Sequence, residues 1–341
     1  MMSRIYAIFC ILLFVSAGLF AQGTQESVNV YTHRHYEADA QLFEQFENET
    51  GISVNVVTAG ADELIQRLSQ EGELSSADIL ITADAGRLEY AKELGLLQKH
   101  NSEDIQSAVL PAYRDVEGYW TGLTIRGRVI VYDGAQDDGS QLSTYEALAD
   151  PSFADSLLVR SSANIYNQSL LASLIAHHGV GQAEAWASGM VRNMAREPQG
   201  NDRDQMKALV SGEGRYAIVN TYYVGLLQTS NDPFEREVGQ RIRVFSPNQD
   251  GRGTHVNVSG AGITAHAPNR ENAQKLLEYL VTEQSQEVFA KANFEYPVRN
   301  DVPLHPVVAS WGTFKADELN LSSLGAFNTE AVKIFDKTGW K

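Results

Sequence analysis

A single cysteine, Cys10, stands among 341 residues, and it falls inside an apolar stretch near the N-terminus. That scarcity excludes a disulfide framework and a thiolate metal site. Any metal the chain holds must be bound through nitrogen or oxygen. Basic runs are missing as well: 27 Lys and Arg stand against 43 Asp and Glu, for a formal charge of −16. A nucleic-acid binder needs a basic stripe or patch, so nucleic acid is not expected as a partner. The chain has no internal repeat, low-complexity tract or Pro-rich linker. It also has no Gly-x-Ser-x-Gly elbow, no His-Glu-x-x-His and no P-loop, so the sequence motifs of common secreted enzymes are absent. Catalysis is not expected.

Long hydrophobic runs are missing with one short exception. Met1-Met2-Ser3-Arg4 carries one positive charge, Ile5 to Phe20 is apolar and uncharged, and Ala21-Gln22-Gly23 follows. This is the layout of a secretory signal peptide. The run is short for a helix that must cross about 30 Å of hydrocarbon. Residues 1–21 are therefore expected to be a leader cut after Ala21, and the mature chain to be periplasmic. Ile8-Phe9 before Cys10 is not the small-residue box a lipid anchor requires.

What remains is a globular balance, 43% hydrophobic and 21% charged, in a chain long enough for two domains. After residue 27, strand and helix signals alternate. Val28–Tyr31, Ile52–Val57 and Ala77–Ile81 read as strands; Ala38–Thr50, Ala61–Gln70 and Ala85–Leu94 read as helices between and after them. The middle continues with strands at Val129–Tyr132, Leu157–Val159 and Ala217–Val219. Helices are expected over Gln168–Ala176, Ala183–Met190 and Arg203–Val210, and one beginning at Tyr222. A strand over Ser259–Thr264 and helices over Arg270–Leu280, Gln284–Ala292 and Gly325–Lys337 complete the chain. The βα rhythm predicts an α/β fold. Two such halves without a linker predict a chain that crosses between lobes more than once. The ligand then sits in the crevice at the carboxyl ends of the strands.

There are fourteen tyrosines. Most tyrosines are half-buried packing residues, but position singles out four. Tyr36 follows the first expected strand. Tyr166 lies in the Ser161-to-Ser169 connection between a strand and a helix, and Tyr222 and Tyr223 follow Asn220-Thr221 at another strand-to-helix junction. Three loops of the expected cleft thus deliver four phenols. Buried phenols need partners, and a hard trivalent cation meets that need. Fe3+ prefers anionic oxygen, and a bound metal supplies the positive charge that a phenolate requires at neutral pH. Zinc would favour His and Cys, and calcium several carboxylates and carbonyls; neither pattern is present. Four phenolates exceed the charge of Fe3+ by one unit. Arg126, in Thr124-Ile125-Arg126-Gly127-Arg128, reads as part of a strand that crosses between lobes, and is expected either just behind the phenols as the offsetting cation or in a surface ion pair. His35 is expected either as a further ligand or as a hydrogen-bonding neighbour at the rim.

Several strings resemble one known family. They are Arg34-His35-Tyr36, Ala61-Asp62-Glu63-Leu64, Ser143 to Pro151, Arg160-Ser161-Ser162 with Tyr166-Asn167-Gln168-Ser169, Ala195 to Asp202, Asn220-Thr221-Tyr222-Tyr223, and Pro247-Asn248-Gln249 with Gly253 to Gly260. In this order they are similar to the periplasmic ferric-ion-binding proteins of bacterial iron ABC transporters, above all the tyrosine-rich branch typical of cyanobacteria. The resemblance implies the type II periplasmic-binding-protein fold: two mixed sheets flanked by helices, with a ligand cleft between lobes. It divides the chain into an N-terminal lobe of residues 28–124 plus 256–303 and a C-terminal lobe of 125–255 plus 304–341. It implies Fe3+ as the transported ligand, held by Tyr222 and Tyr223 with Tyr166 and Tyr36, in a monomer that delivers it to an inner-membrane ABC transporter permease. Another branch uses His, Glu, two tyrosines and a bound phosphate or carbonate. Tyr166 is an additional phenol here, so an added anion is not expected.

Other readings fit less well. A polyamine site wants carboxylates with aromatic faces, and an anion site wants helix N-termini and hydroxyls. A thiamine binder of the same fold is a further alternative, and the four phenols argue against these. Glu63 reads as a solvated helix residue. His177-His178 reads as a helix end before Gly179, where a cationic ring suits the dipole.

Overall fold

The computed structural model describes residues 26–34 and 36–341. The expected leader, Cys10 and His35 lie outside the described residues. The described residues form ten strands: β1 (Ser27–Thr32), β2 (Ser53–Thr58), β3 (Ile79–Thr82), β4 (Leu97–Gln98), β5 (Thr121–Asp133), β6 (Leu157–Leu158), β7 (Tyr216–Asn220), β8 (Ile242–Phe245), β9 (Val256–Thr264) and β10 (Tyr296–Pro297). The first three pair in parallel in the order β2-β1-β3, with Val30 opposite Val56 and Ile79. Alternating βα units build this part, as the apolar periodicity requires. In helix Ala61–Glu71, Leu64, Ile65 and Leu68 are buried, each worth about 1.5–3 kcal/mol in apolar burial. Helix Glu37–Thr50 buries Leu42, Phe43 and Phe46 and stops at Gly51, whose φ of 74° is the left-handed cap that glycine favours.

Antiparallel strands complete the sheet. β9 pairs β3, and β5 pairs β9 over its first half. The second half of β5 then pairs β7 on one side and β8 on the other, and β6 adds to β7 in parallel. The two mixed sheets therefore share β5, in the overall order β2-β1-β3-β9-β5-β7-β6. The sequence places a strand over Val129–Tyr132 and a lobe-crossing strand at Arg126; the two are one strand, thirteen residues long. Thr124, Arg126 and Arg128 interrupt the apolar pattern, yet all three are buried. Period-two alternation puts them on one face, where Glu295, the Ala83 carbonyl and Asp202 respectively accept hydrogen bonds from them.

One expected helix is two. The run from Gly325 to Lys337 divides into Ser322–Ala326 and Asn328–Thr338, with Phe327 between them. The first piece packs on helices Ala85–Glu93 and Ile165–His178, and the second on Ile165–His178 and Val180–Asn193. The crossing with Ala85–Glu93 runs through two glycines. A Cβ at Gly325 would lie 2.7 Å from Glu89 Cβ, and one at Gly86 would lie 3.4 Å from Gly325 N. Backbones approach this closely only without side chains. Among the described residues no helix is long and apolar enough to cross a membrane.

A buried ion pair ties four elements together under the carboxyl end of β7. Arg128 on β5 donates to both oxygens of Asp202, each at 3.1 Å, and to Asn167 Oδ1 at 2.9 Å. Asp202 opens helix Asp202–Val210 and also accepts from the backbone of Asn220 at 3.2 Å. Arg128 and Asp202 are both almost fully enclosed. Deleting one partner strands the other charge in the interior, so Asp202→Ala should lower the unfolding free energy by about 3–5 kcal/mol. Urea denaturation monitored by far-UV dichroism reads the loss directly.

Candidate metal centre

Three strand-to-helix connections bring the phenols together. Tyr36 stands immediately before helix Glu37–Thr50, with extended φ and ψ of −83° and 146°. Tyr166 lies in the first turn of helix Ile165–His178, and its backbone N–H is capped by Asn164 Oδ1 at 3.2 Å. Tyr222 and Tyr223 lie in the first turn of helix Thr221–Gln228, which follows β7 without a break. Every one of the four thus sits at a helix N-terminus, where the unpaired amides and the helix dipole favour negative charge.

The Tyr166 and Tyr222 hydroxyl oxygens are 3.2 Å apart. The Tyr222 and Tyr223 ring centres are 4.2 Å apart and tilted by 34°. Tyr222 is fully buried, and the other three are half-buried. Burial pushes Tyr222 well above the ordinary phenol value, and the neighbouring Tyr166, Tyr36 and Tyr223 push it further. Tyr36 is raised by burial, then by Glu295 and Tyr166. Tyr223 is pushed up to about 12 by burial, then by Tyr166 and Asp202. Each phenolate would oppose the next, so all four belong to one electrostatic neighbourhood.

Guanidinium groups surround the cluster. Arg126 Cζ lies 5.3 Å from the Tyr166 ring centre, with Arg160 at 5.5 Å and Arg128 at 5.8 Å. Arg34 Cζ lies 4.8 Å from the centre of the Tyr36 ring. Arg126 is buried, which rules out the surface ion pair considered for it. It donates to the carbonyl of Ala83 and, at 3.4 Å, to Ser259 Oγ. Burial opposes its charge, but Tyr166, Tyr222, Glu295 and Asp84 outweigh burial and hold its pKa above the ordinary value.

Five of these neighbours escaped the sequence reading: Arg34, Arg128, Arg160, Asp202 and Glu295. Arg34 is clamped by Asp39 at 2.9 and 3.0 Å and lies 3.9 Å from Glu295. The Glu295 carboxyl accepts from Thr124 Oγ1 at 3.0 Å through one oxygen. Its other oxygen has no hydrogen-bond partner among the described residues. Burial raises its pKa against the pull of Arg34 and Arg126. A lone carboxylate in Phe294-Glu295-Tyr296-Pro297 is the only local signal, and it is weak.

Glu63 is exposed on its helix. His177 and His178 end helix Ile165–His178 before Gly179 and pair with Asp317 and Glu146, each at 2.8 Å. Among the described residues no group of three or more His, Cys, Asp or Glu side chains could hold a metal ion. The arrangement around Tyr222 is chemically different from such a site. It offers up to four hard anionic oxygens, three helix N-termini and fixed positive charge, the donor set for a small, highly charged cation.

The family model described as bacterial extracellular solute-binding protein matches residues 75–316, and the chain belongs to that family. It is 47% identical to iron uptake protein A1 of Synechocystis sp. over 94% of this chain and 89% of the relative. A solved Trichodesmium structure, described as IdiA or FutA in complex with iron and citrate ligands, superposes with a TM-score of 0.90 at 45% identity. It covers 92% of this chain and 100% of that one. The ferric binding protein from Campylobacter jejuni superposes at 0.88 with 42% identity, over 92% of this chain and 100% of that one. The likeness extends to the whole architecture, so the fold is that of the type II periplasmic ferric-binding proteins.

The raised phenols make stability depend on alkaline pH. A phenol whose folded pKa exceeds its unfolded value of about 10 stabilises the fold fully below that value. The contribution is lost as pH rises toward the folded value, about 12 for Tyr223. The unfolding free energy of the metal-free protein should therefore fall between about pH 10 and 12. Tyr222→Phe/Tyr223→Phe should flatten that fall, which denaturation across the range measures.

Proposed function

We propose that this solute-binding protein captures ferric iron in the periplasm and delivers it to an inner-membrane ABC transporter permease. Tyr36, Tyr166, Tyr222 and Tyr223 are the ligands, as phenolates. The observation that carries this reading is the convergence of four phenols from three helix N-termini, with 3.2 Å between the Tyr166 and Tyr222 oxygens. The names of its relatives point the same way, toward iron uptake and ferric binding.

Charge makes the cation specific. Four phenolates and Fe3+ leave one negative unit, and the guanidinium of Arg126 offsets it behind the Tyr166 ring. A divalent ion would leave a further unit uncompensated in a site whose burial already penalises charge. The phenolates fill the anionic requirement, so no added anion is needed. His35 adjoins Tyr36 in the chain and is either a further ligand or its hydrogen-bonding neighbour. Each phenol surrenders a proton as iron binds, so acid weakens binding by competing for the same oxygens.

The lobes are residues 28–124 with 256–303, and 125–255 with 304–341. Tyr36 belongs to the first and the other three phenols to the second. Iron meets the three-phenol side first, and closure about the shared strands then adds Tyr36. Binding stabilises the closed form only by its differential affinity for that form. The protein acts as a monomer, is exported behind a cleaved leader, and performs no catalysis.

Adding Fe3+ to the purified mature protein should produce a visible phenolate-to-iron charge-transfer band. Tyr222→Phe/Tyr223→Phe should abolish the band and leave far-UV dichroism unchanged. A colourless wild type that takes up no Fe3+, measured by metal analysis after desalting, would overturn the reading.

A further inference from the structure

Asp84 lies at the turn between β3 and helix Ala85–Glu93, and its side chain is buried. Its carboxylate meets three donors. Oδ1 accepts from the Arg87 backbone at 3.1 Å; Oδ2 accepts from Ser169 Oγ at 2.6 Å and from Asn257 Nδ2 at 2.7 Å. Ser169 is one turn beyond Tyr166 on the same helix. The turn that holds Asp84 is also the one Arg126 grips, through the carbonyl of Ala83. Asp84 therefore joins the sheet of β1, β3 and β9 to the helix that presents Tyr166.

Resting on the ferric-capture reading above, we propose that Asp84 is a positioning residue for the iron site. Its bond to Ser169 latches the Tyr166 helix to the opposite lobe and slows iron release. The donor pattern selects the residue. Asn257 cannot turn its amide round, because its Oδ1 already accepts from Ala85 at 3.0 Å and Val258 at 2.8 Å. The Arg87 N–H is fixed by the helix. All three donors thus need acceptors, and a carboxylate has two oxygens and no hydrogen to misplace. A buried carboxylate without a cation directly on it is costly to keep. Hydrogen bonds to a charged acceptor are also the strong kind. The Ser169 bond is the one among the three that spans the proposed lobe boundary, so opening must break it and leave the carboxylate short of a donor.

The test compares Ser169→Ala with Asp84→Asn. Ser169→Ala removes the crossing contact and leaves the other two donors satisfied. Asp84→Asn keeps the shape but turns an NH2 toward a donor. After loading with Fe3+, both variants should retain the wavelength of the visible band and release iron to excess chelator about tenfold faster or more. Their uptake rates should stay near the wild-type value. A residue that only supports the fold would instead lower thermal stability with and without iron and leave the release rate alone. Hydrogen exchange on the metal-free protein reads the latch without iron. The first turns of helices Ala85–Glu93 and Ile165–His178 should exchange faster in Ser169→Ala. Unchanged release together with unchanged exchange overturns the proposal. A wild type that never colours with Fe3+ strikes the ferric reading alone, and the exchange arm still decides the latch.

Discussion

Holding several phenols in one enclosed place is the constraint that shapes the rest of this molecule. Burial disfavours a phenolate, and each phenolate disfavours its neighbour. Tyr222, fully enclosed with three phenols around it, feels both effects most strongly. Burial and mutual repulsion favour the neutral phenol, and a phenolate in such a place requires nearby positive charge. Guanidinium groups stand against the rings: Arg126, Arg128 and Arg160 against Tyr166, and Arg34 against Tyr36. Arginine suits the task, because it keeps its charge when buried and can lie against an aromatic face.

Buried guanidinium groups carry their own cost, and the architecture answers it residue by residue. Arg34 has Asp39 and Glu295; Arg128 has Asp202, Asn167 and Asn220; Arg126 has the Ala83 carbonyl and Ser259. These partners come from different elements, so the polar network also fixes how the elements meet. β5 is the common support. Its alternation sends Thr124, Arg126 and Arg128 to one side, and its neighbour β9 places Asn257 opposite Arg126. Where Arg126 touches the rings on one side, it touches the Ala83–Asp84 turn on the other. Arg126 thus bridges the Tyr166 ring and the turn whose Asp84 carboxylate accepts from Ser169 on the Tyr166 helix.

Much of the fold was legible because its periodicities are local. The helix over Arg270–Leu280 has the same bounds in sequence and structure, and the helices that follow β1, β2 and β3 differ by a residue or two at most. The failures have specific causes. The lobe-crossing strand at Arg126 and the strand over Val129–Tyr132 are one strand of thirteen residues, which local pattern does not reveal because the buried partners of Arg126 and Arg128 come from distant segments. The C-terminal helix was read as continuous because nothing local to Gly325 announces that Gly86 will press against it. Asp202 and Asp84 carry no local signal and Glu295 only a weak one: each is an ordinary acidic residue until distant donors surround it.

Sequence alone establishes that α/β units form and that four tyrosines stand where strands hand over to helices. These follow from residue type and near-neighbour spacing, which act within a few residues along the chain. Only the tertiary structure decided that Tyr166 and Tyr222 would bring their oxygens to 3.2 Å. It alone buried Arg126 beneath them, and it alone gave the Asp84 carboxylate donors at positions 169 and 257. Those outcomes depend on contacts between segments tens to hundreds of residues apart, where direction and burial are set by packing.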